Sequence, residues 1–118
     1  MNVTDPVETG VTAGAEPQFR VVVTAGANGT VVLPCGELDL ATAADLEAVL
    51  LAQSGRVVVD LRGLSFVDVR GLRVLLEAEA RSRMDGMNLR FVAGEAVRRL
   101  FEHAGLPDEL SYIEPPVA

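Results

Sequence analysis

The 118-residue chain contains no lysine and no tryptophan, and only one cysteine, one histidine and one tyrosine. Each shortage excludes a chemistry. Without lysine there is no lysine nucleophile, no lysine Schiff base and no P-loop lysine. A single cysteine, Cys35, rules out an internal disulfide and a cysteine-rich zinc site. It lies in the apolar run TVVLPCG, where a buried strand thiol is expected rather than a reactive one. His103 stands near the end of a helical stretch, where a cation suits the helix dipole, and has no partner histidine to share a metal with. A serine hydrolase needs a histidine in reach and usually a G-x-S-x-G elbow, which neither AQSGR nor ARSRM supplies. GVTAGAE lacks the preceding strand, the following helix and the G-K-[ST] of a phosphate loop. No catalytic residue, metal site or cofactor is therefore expected.

Positive charge is also scarce. Ten arginines face 17 acidic residues, a net charge of −7, which argues against direct nucleic-acid binding. No apolar run approaches the roughly 18 residues needed to cross a bilayer. The N-terminus has no basic stretch followed by an apolar core, so no signal peptide is expected. These features predict a cytoplasmic protein with no membrane insertion. What is abundant is aliphatic: hydrophobic residues make up 49% of the chain with only four phenylalanines among them. At this length they predict one domain with an aliphatic core.

Residues 1–18 are rich in Gly, Pro, Thr and Glu without periodicity, and are expected to form a disordered, dispensable leader. FRVVVTA (19–25) and TVVLPCGEL (30–38) read as strands, joined by a hairpin turn at Asn28-Gly29, where both residues tolerate positive φ. Pro34 cannot donate to a ladder and is expected at an edge or bulge. ATAADLEAVLLAQSG predicts a helix with Thr42 as N-cap, Asp45 accepting from first-turn amides, Leu46, Val49 and Leu50 on one face, and Gly55 as its close. RVVVDL (56–61) predicts a central strand. A helix follows from about Val69 to Asp85, ended by Gly86. MNLRFVA (87–93) predicts a strand with Leu89 and Phe91 facing away from Arg90 and Val92. EAVRRLFEHAG (95–105) predicts a helix with Val97, Leu100, Phe101 and Ala104 inward. ELSYIEPPVA adds a short strand or turn, and 115–118 form a tail. Strands alternating with helices predict an α/β layer structure with a partly parallel sheet.

The junction LSFVDVRGLRVLL presents an aspartate immediately before a helix, followed by a valine that cannot react. At about 100° per residue, Leu72, Leu75 and Leu76 project to one side of that helix, with Gly71 and Ala78 beside them. Val69, Arg73, Glu77 and Met84 project to the other, flanked by Arg70 and Arg81. The outer mixture suits a modest protein-binding surface, or an ordinary solvated face with stray apolar residues. Asp39 and Asp68 both stand at strand ends, but no apolar pocket or perturbing partner marks them as an acid–base pair.

Three spaced blocks, GELDLATAADLEAVL, RVVVDLRGLSFVDVRGLRVLLEA and GMNLRFVAGEAVRRLFEHAGL, resemble the STAS domain of bacterial anti-sigma factor antagonists and the related sulphate-transporter domains. The resemblance runs from about Phe19 to Ile113. It implies a mixed β-sheet of four to five strands with helices packed largely on one face, over residues 19–114. It also implies a non-catalytic partner-switching regulator of transcription that binds an anti-sigma factor, itself a serine kinase, and so frees a sigma factor. The family's contact surface, carried over, comprises Asp39, Asp68, Val69, Arg70, Gly71, Leu72 and Arg73. The family's phosphoacceptor serine follows the junction aspartate in D-S-x-G-L; this chain has D-V-R-G-L, with Val69 in its place. Phosphate at a helix N-terminus adds nearly two negative charges that disrupt an acidic contact, and valine can neither receive nor imitate it. Ser65, just upstream, is expected to satisfy a loop hydrogen bond, with phosphorylation as its alternative role. Two other readings remain open: an accessory subunit of a transporter or lipid-trafficking complex, and a small-ligand or nucleotide sensor using the strand-end crevice.

Overall fold

The computed structural model describes residues 19–26 and 29–114; the leader, Asn28 of the expected turn and the tail lie outside the described residues. The β-branched run Phe19–Gly26 (β1) pairs antiparallel with Gly29–Leu38 (β2), in a register running from Phe19↔Gly36 to Gly26↔Gly29. Gly29 is therefore the first paired residue of β2 rather than a turn centre. Its φ is +124°, and a Cβ there would lie 2.5 Å from the Arg56 carbonyl oxygen, so only glycine fits.

Beyond β2 come Ala43–Leu51 (α1), Arg56–Asp60 (β3), Leu64–Val67 (β4), Val69–Asp85 (α2), Asn88–Val92 (β5) and Glu95–Ala104 (α3). The sheet order is β1-β2-β3-β5, with β4 also pairing β2. β3 and β4 share one side of β2: Thr30–Val32 run parallel to β3, and Gly36–Leu38 run parallel to β4. Between them β2 pairs only with β1, and Pro34 falls in that gap, where its missing N–H breaks no parallel ladder. The proline is thus tolerated in a central strand, at neither the expected edge nor the bulge, which falls between Gly36 and Glu37. β4 itself, only four residues long, was not expected from the sequence. A single 3₁₀ turn, Leu61–Gly63, separates it from β3.

Parallel neighbours require crossovers, and α1 and α2 supply them. Their apolar sides meet one face of the sheet, where Phe19, Val21, Val23, Val32, Val57, Val59, Leu89 and Phe91 join Leu46, Leu72, Leu75, Val97 and Phe101 in one core. The alternate strand residues face the other way. Arg20, Arg56 and Arg90 are exposed there and Val31, Leu33 and Val58 half-buried. This is the mixed sheet with one helical face that the sequence implied.

Several local expectations are corrected. Cys35 is half-buried, because it falls on the outward alternation of β2 with Val31 and Leu33. Thr42 precedes α1 but makes no side-chain cap bond, and α1 stops at Leu51 with Ala52 as C-cap, three residues before Gly55. Ala104 is exposed, because α3 presents only Val97 and Phe101 fully inward. Val92 is buried (1% exposed) despite sharing the Arg90 side of β5. In α2, Val74, Glu79 and Ser82 are buried, whereas Leu76 is half-buried. The buried Glu79 carboxylate accepts from Ser111 N (3.0 Å) and Ser111 Oγ (3.2 Å) and pairs with Arg83 Nε at 3.2 Å. That bond ties the C-terminal segment to α2, while Phe91 N–H donates to Ser111 O and Ile113 N–H to Phe91 O along the edge of β5.

Candidate docking surface

Two turns meet where β2 and β4 end, and both are held by aspartates. Asp39 Oδ1 accepts from Ala41 N at 3.0 Å and Thr42 N at 3.2 Å. The Thr42 hydroxyl donates to Glu37 O at 2.8 Å and accepts from Asp39 N at 3.0 Å. So Asp39 and Thr42 together brace the start of α1, the work assigned in sequence to Thr42 and Asp45. Asp68 is the N-cap of α2, with extended backbone and Oδ1 accepting from Gly71 N at 3.0 Å. Its own N–H donates to Leu38 O at 3.0 Å, which joins the second turn to the end of β2.

The close approach of α2 to β2 explains Gly71. A Cβ there would sit 2.5 Å from Leu38 Cγ and 2.8 Å from Leu38 O. Leu72 is 1% exposed and lies in the core. Gly71 and Leu72 therefore position the junction and offer no surface of their own. Of the seven residues implicated by the family resemblance, Val69, Arg70 and Arg73 are exposed, and Asp39 and Asp68 are half-buried with their carboxylates engaged in caps.

Val69 is 61% exposed at the first position of α2. Two further apolar side chains stand at the same sheet end: Leu40, 66% exposed, and Phe66, 49% exposed. Leu38 pairs with Val67 and Glu37 with Phe66, so the two chain segments leave the sheet side by side. Sequence reasoning missed Leu40 and Phe66. The register explains Phe66: β4 advances from Leu64 to Phe66 while β2 advances from Gly36 to Glu37, leaving Ser65 as a bulge residue. The extra residue turns Phe66 outward while Leu64 and Val67 remain buried. Ser65 is exposed, and among the described residues its hydroxyl makes no hydrogen bond, contrary to the loop bond expected of it.

The charges around this apolar group are cationic at the helix start, with Arg70 unpaired among the described residues and Arg73 4.0 Å from Glu77. Below β4, Arg62 donates from Nε (3.0 Å) and Nη2 (2.8 Å) to the Asp60 carboxylate, which also caps the 3₁₀ turn through Arg62 N at 3.1 Å. Burial raises the Asp60 pKa, but the Arg62 bonds outweigh it and hold the carboxyl below its ordinary value. Among the described residues no three His, Cys, Asp or Glu side chains are placed to hold a metal ion. No described helix is long and apolar enough to cross a membrane. The three exposed apolar side chains at this end of the sheet offer area to bury against a partner.

The family described as "Mlab, STAS domain" matches residues 21–113. The chain belongs to this STAS-domain family. Solved structures agree on the fold. An anti-sigma factor antagonist from Mycobacterium paratuberculosis is 24% identical with a TM-score of 0.65, covering 88% of this chain and 92% of that one. A STAS-domain antisigma-factor antagonist from Rhodobacter sphaeroides is 21% identical with a TM-score of 0.56, covering 71% of this chain and 92% of its own. The much longer SLC26A9 aligns over 64% of this chain and 16% of itself, at 20% identity and a TM-score of 0.53. No curated protein matches the chain at a significant level.

Proposed function

We propose that this protein is a non-catalytic anti-sigma factor antagonist that docks the Leu40–Phe66–Val69 edge onto a kinase-fold anti-sigma factor and so frees a sigma factor. The observation that carries the reading is Val69: exposed, apolar and at the helix start where the family places a phosphoacceptor serine. Asp39, Asp68, Gly71 and Leu72 hold the edge in shape, and Arg70 and Arg73 rim it. A small apolar centre with a charged rim is the anatomy of a partner interface. Valine has no hydroxyl, so incubation with the kinase and ATP leaves position 69 unmodified and the complex intact. The antagonist would then work in the cytoplasm and be regulated by abundance or by the partner, not by phosphate at this position.

A second reading, an accessory subunit of a transporter or lipid-trafficking complex, draws on the same fold recurring inside the SLC26A9 chain. It would use a different contact face. Capture from the source cell with the parent protein and with Val69→Glu, followed by mass spectrometry, separates the two. A kinase-fold anti-sigma factor held by the parent and lost by the variant supports antagonism. A transporter component held equally by both supports the second reading.

A further inference from the structure

The parallel strands β3 and β5 begin at the sheet end remote from Val69, and a concavity of about 300 Å³ lies over their first residues. Arg56, Val57, Val58, Asn88, Arg90 and Ile113 line it. Parallel pairing sets Arg56 beside Asn88 and Val58 beside Arg90. Alternate residues of a strand share a face, so these four stand together on the side away from the helices. Ile113 forms a wall because its N–H donates to Phe91 O at 2.9 Å, which fastens the C-terminal segment to the edge of β5.

The charge here is cationic in an acidic chain. Arg62, Arg73, Arg83, Arg98 and Arg99 all have carboxylate partners. Among the described residues Arg56 and Arg90 have none, and Arg90 uses one N–H on Leu89 O at 2.9 Å. Here two guanidiniums stand diagonally opposed across a half-buried valine, in a chain with seven excess negative charges. Guanidinium groups bind carboxylates and phosphates through paired N–H donors. A concave site with an apolar floor and a few convergent polar groups is the form small-molecule sites take.

We propose that this concavity binds a small organic anion, a carboxylate or phosphate monoester whose head bridges Arg56 and Arg90 while an apolar body rests on Val58 and Ile113. The site is independent of the antagonist reading, since it lies on other residues at the opposite end of the strands. The test is amide chemical-shift titration of the whole chain with phenyl phosphate, benzoate, inorganic phosphate and the neutral benzyl alcohol. At least one aromatic anion should give saturable shifts at Val58, Asn88, Arg90 and Ile113 below about 10 mM, and which one saturates assigns the head group. Arg56→Gln and Arg90→Gln, both at exposed positions, should each weaken binding about tenfold. Val69→Glu should leave it unchanged. Absence of saturation for both aromatic anions, equal binding of benzyl alcohol or of inorganic phosphate, or undiminished affinity in the double arginine variant would each overturn the proposal.

Discussion

Replacing Gly71 by alanine tests the geometry of the junction with a single carbon. The residue lies in the first turn of α2 with helical backbone, so two effects oppose each other. Alanine is a better helix former than glycine, a gain of up to about 1 kcal/mol. Against it, the new methyl would lie 2.5 Å from Leu38 Cγ and 2.8 Å from Leu38 O. Leu38 has no exposed surface, and its carbonyl is already held at 3.0 Å by Asp68 N, so neither atom can withdraw without breaking the junction bond. Overpacking in a closed site costs about 1–3 kcal/mol, and these contacts belong to the upper part of that range. The net expectation is a loss of about 2 kcal/mol, read by urea unfolding as a lower midpoint with an unchanged slope. The helix start would also move away from β2 and carry Val69 with it. A Gly71→Ala protein as stable as the parent, or more so, would refute the claim that glycine is present for this close approach.

Leu75, fully buried on the inner side of α2, should cost about 2–5 kcal/mol when cut to alanine, and a loss under about 0.5 kcal/mol would mean the helix is wrongly phased. Glu79→Ala should cost about 1–3 kcal/mol by orphaning Ser111 N–H, and the Ile113 amide should exchange faster; unchanged exchange would mean the segment is held without this carboxylate. Asp60 titrates below its ordinary 3.8 in the folded state, so its contribution is complete above that pH and declines as pH falls through the lowered folded value. Asp60→Asn should therefore flatten the acid side of the stability curve below about pH 4, and an unaltered acid limb would show that the Arg62 pair does not lower it.

Much of this architecture was legible because periodicity reports burial. The α2 stripe of Leu72, Leu75 and Ala78 and the Leu89–Phe91 alternation each pointed to the face that the fold buries. Gly86 and Gly105 both close helices in the left-handed conformation. What escaped depends on pairing, which a one-dimensional pattern does not carry. β4 was invisible because LSFV is only four residues long and shows no alternation, and the bulge that turns Phe66 outward exists only in register with β2. The burial of Glu79 gave no signal in the sequence, since its partner Ser111 lies 32 residues away. Asp39 was flagged by family resemblance as contact surface; that its carboxylate also braces the turn before α1 depends on the folded turn and had no signal in the sequence. Leu40 carried no periodic signal, and only its exposure in the fold singles it out.

The most direct test of the central claim is the affinity of Val69→Glu for the anti-sigma factor captured with the parent, measured by calorimetric titration beside Val69→Ser. A carboxylate forced into an apolar contact costs a few kcal/mol, so Val69→Glu should bind about 30-fold or more weakly, while Val69→Ser should lose far less. Equal affinity of the parent and Val69→Glu would contradict the docking edge.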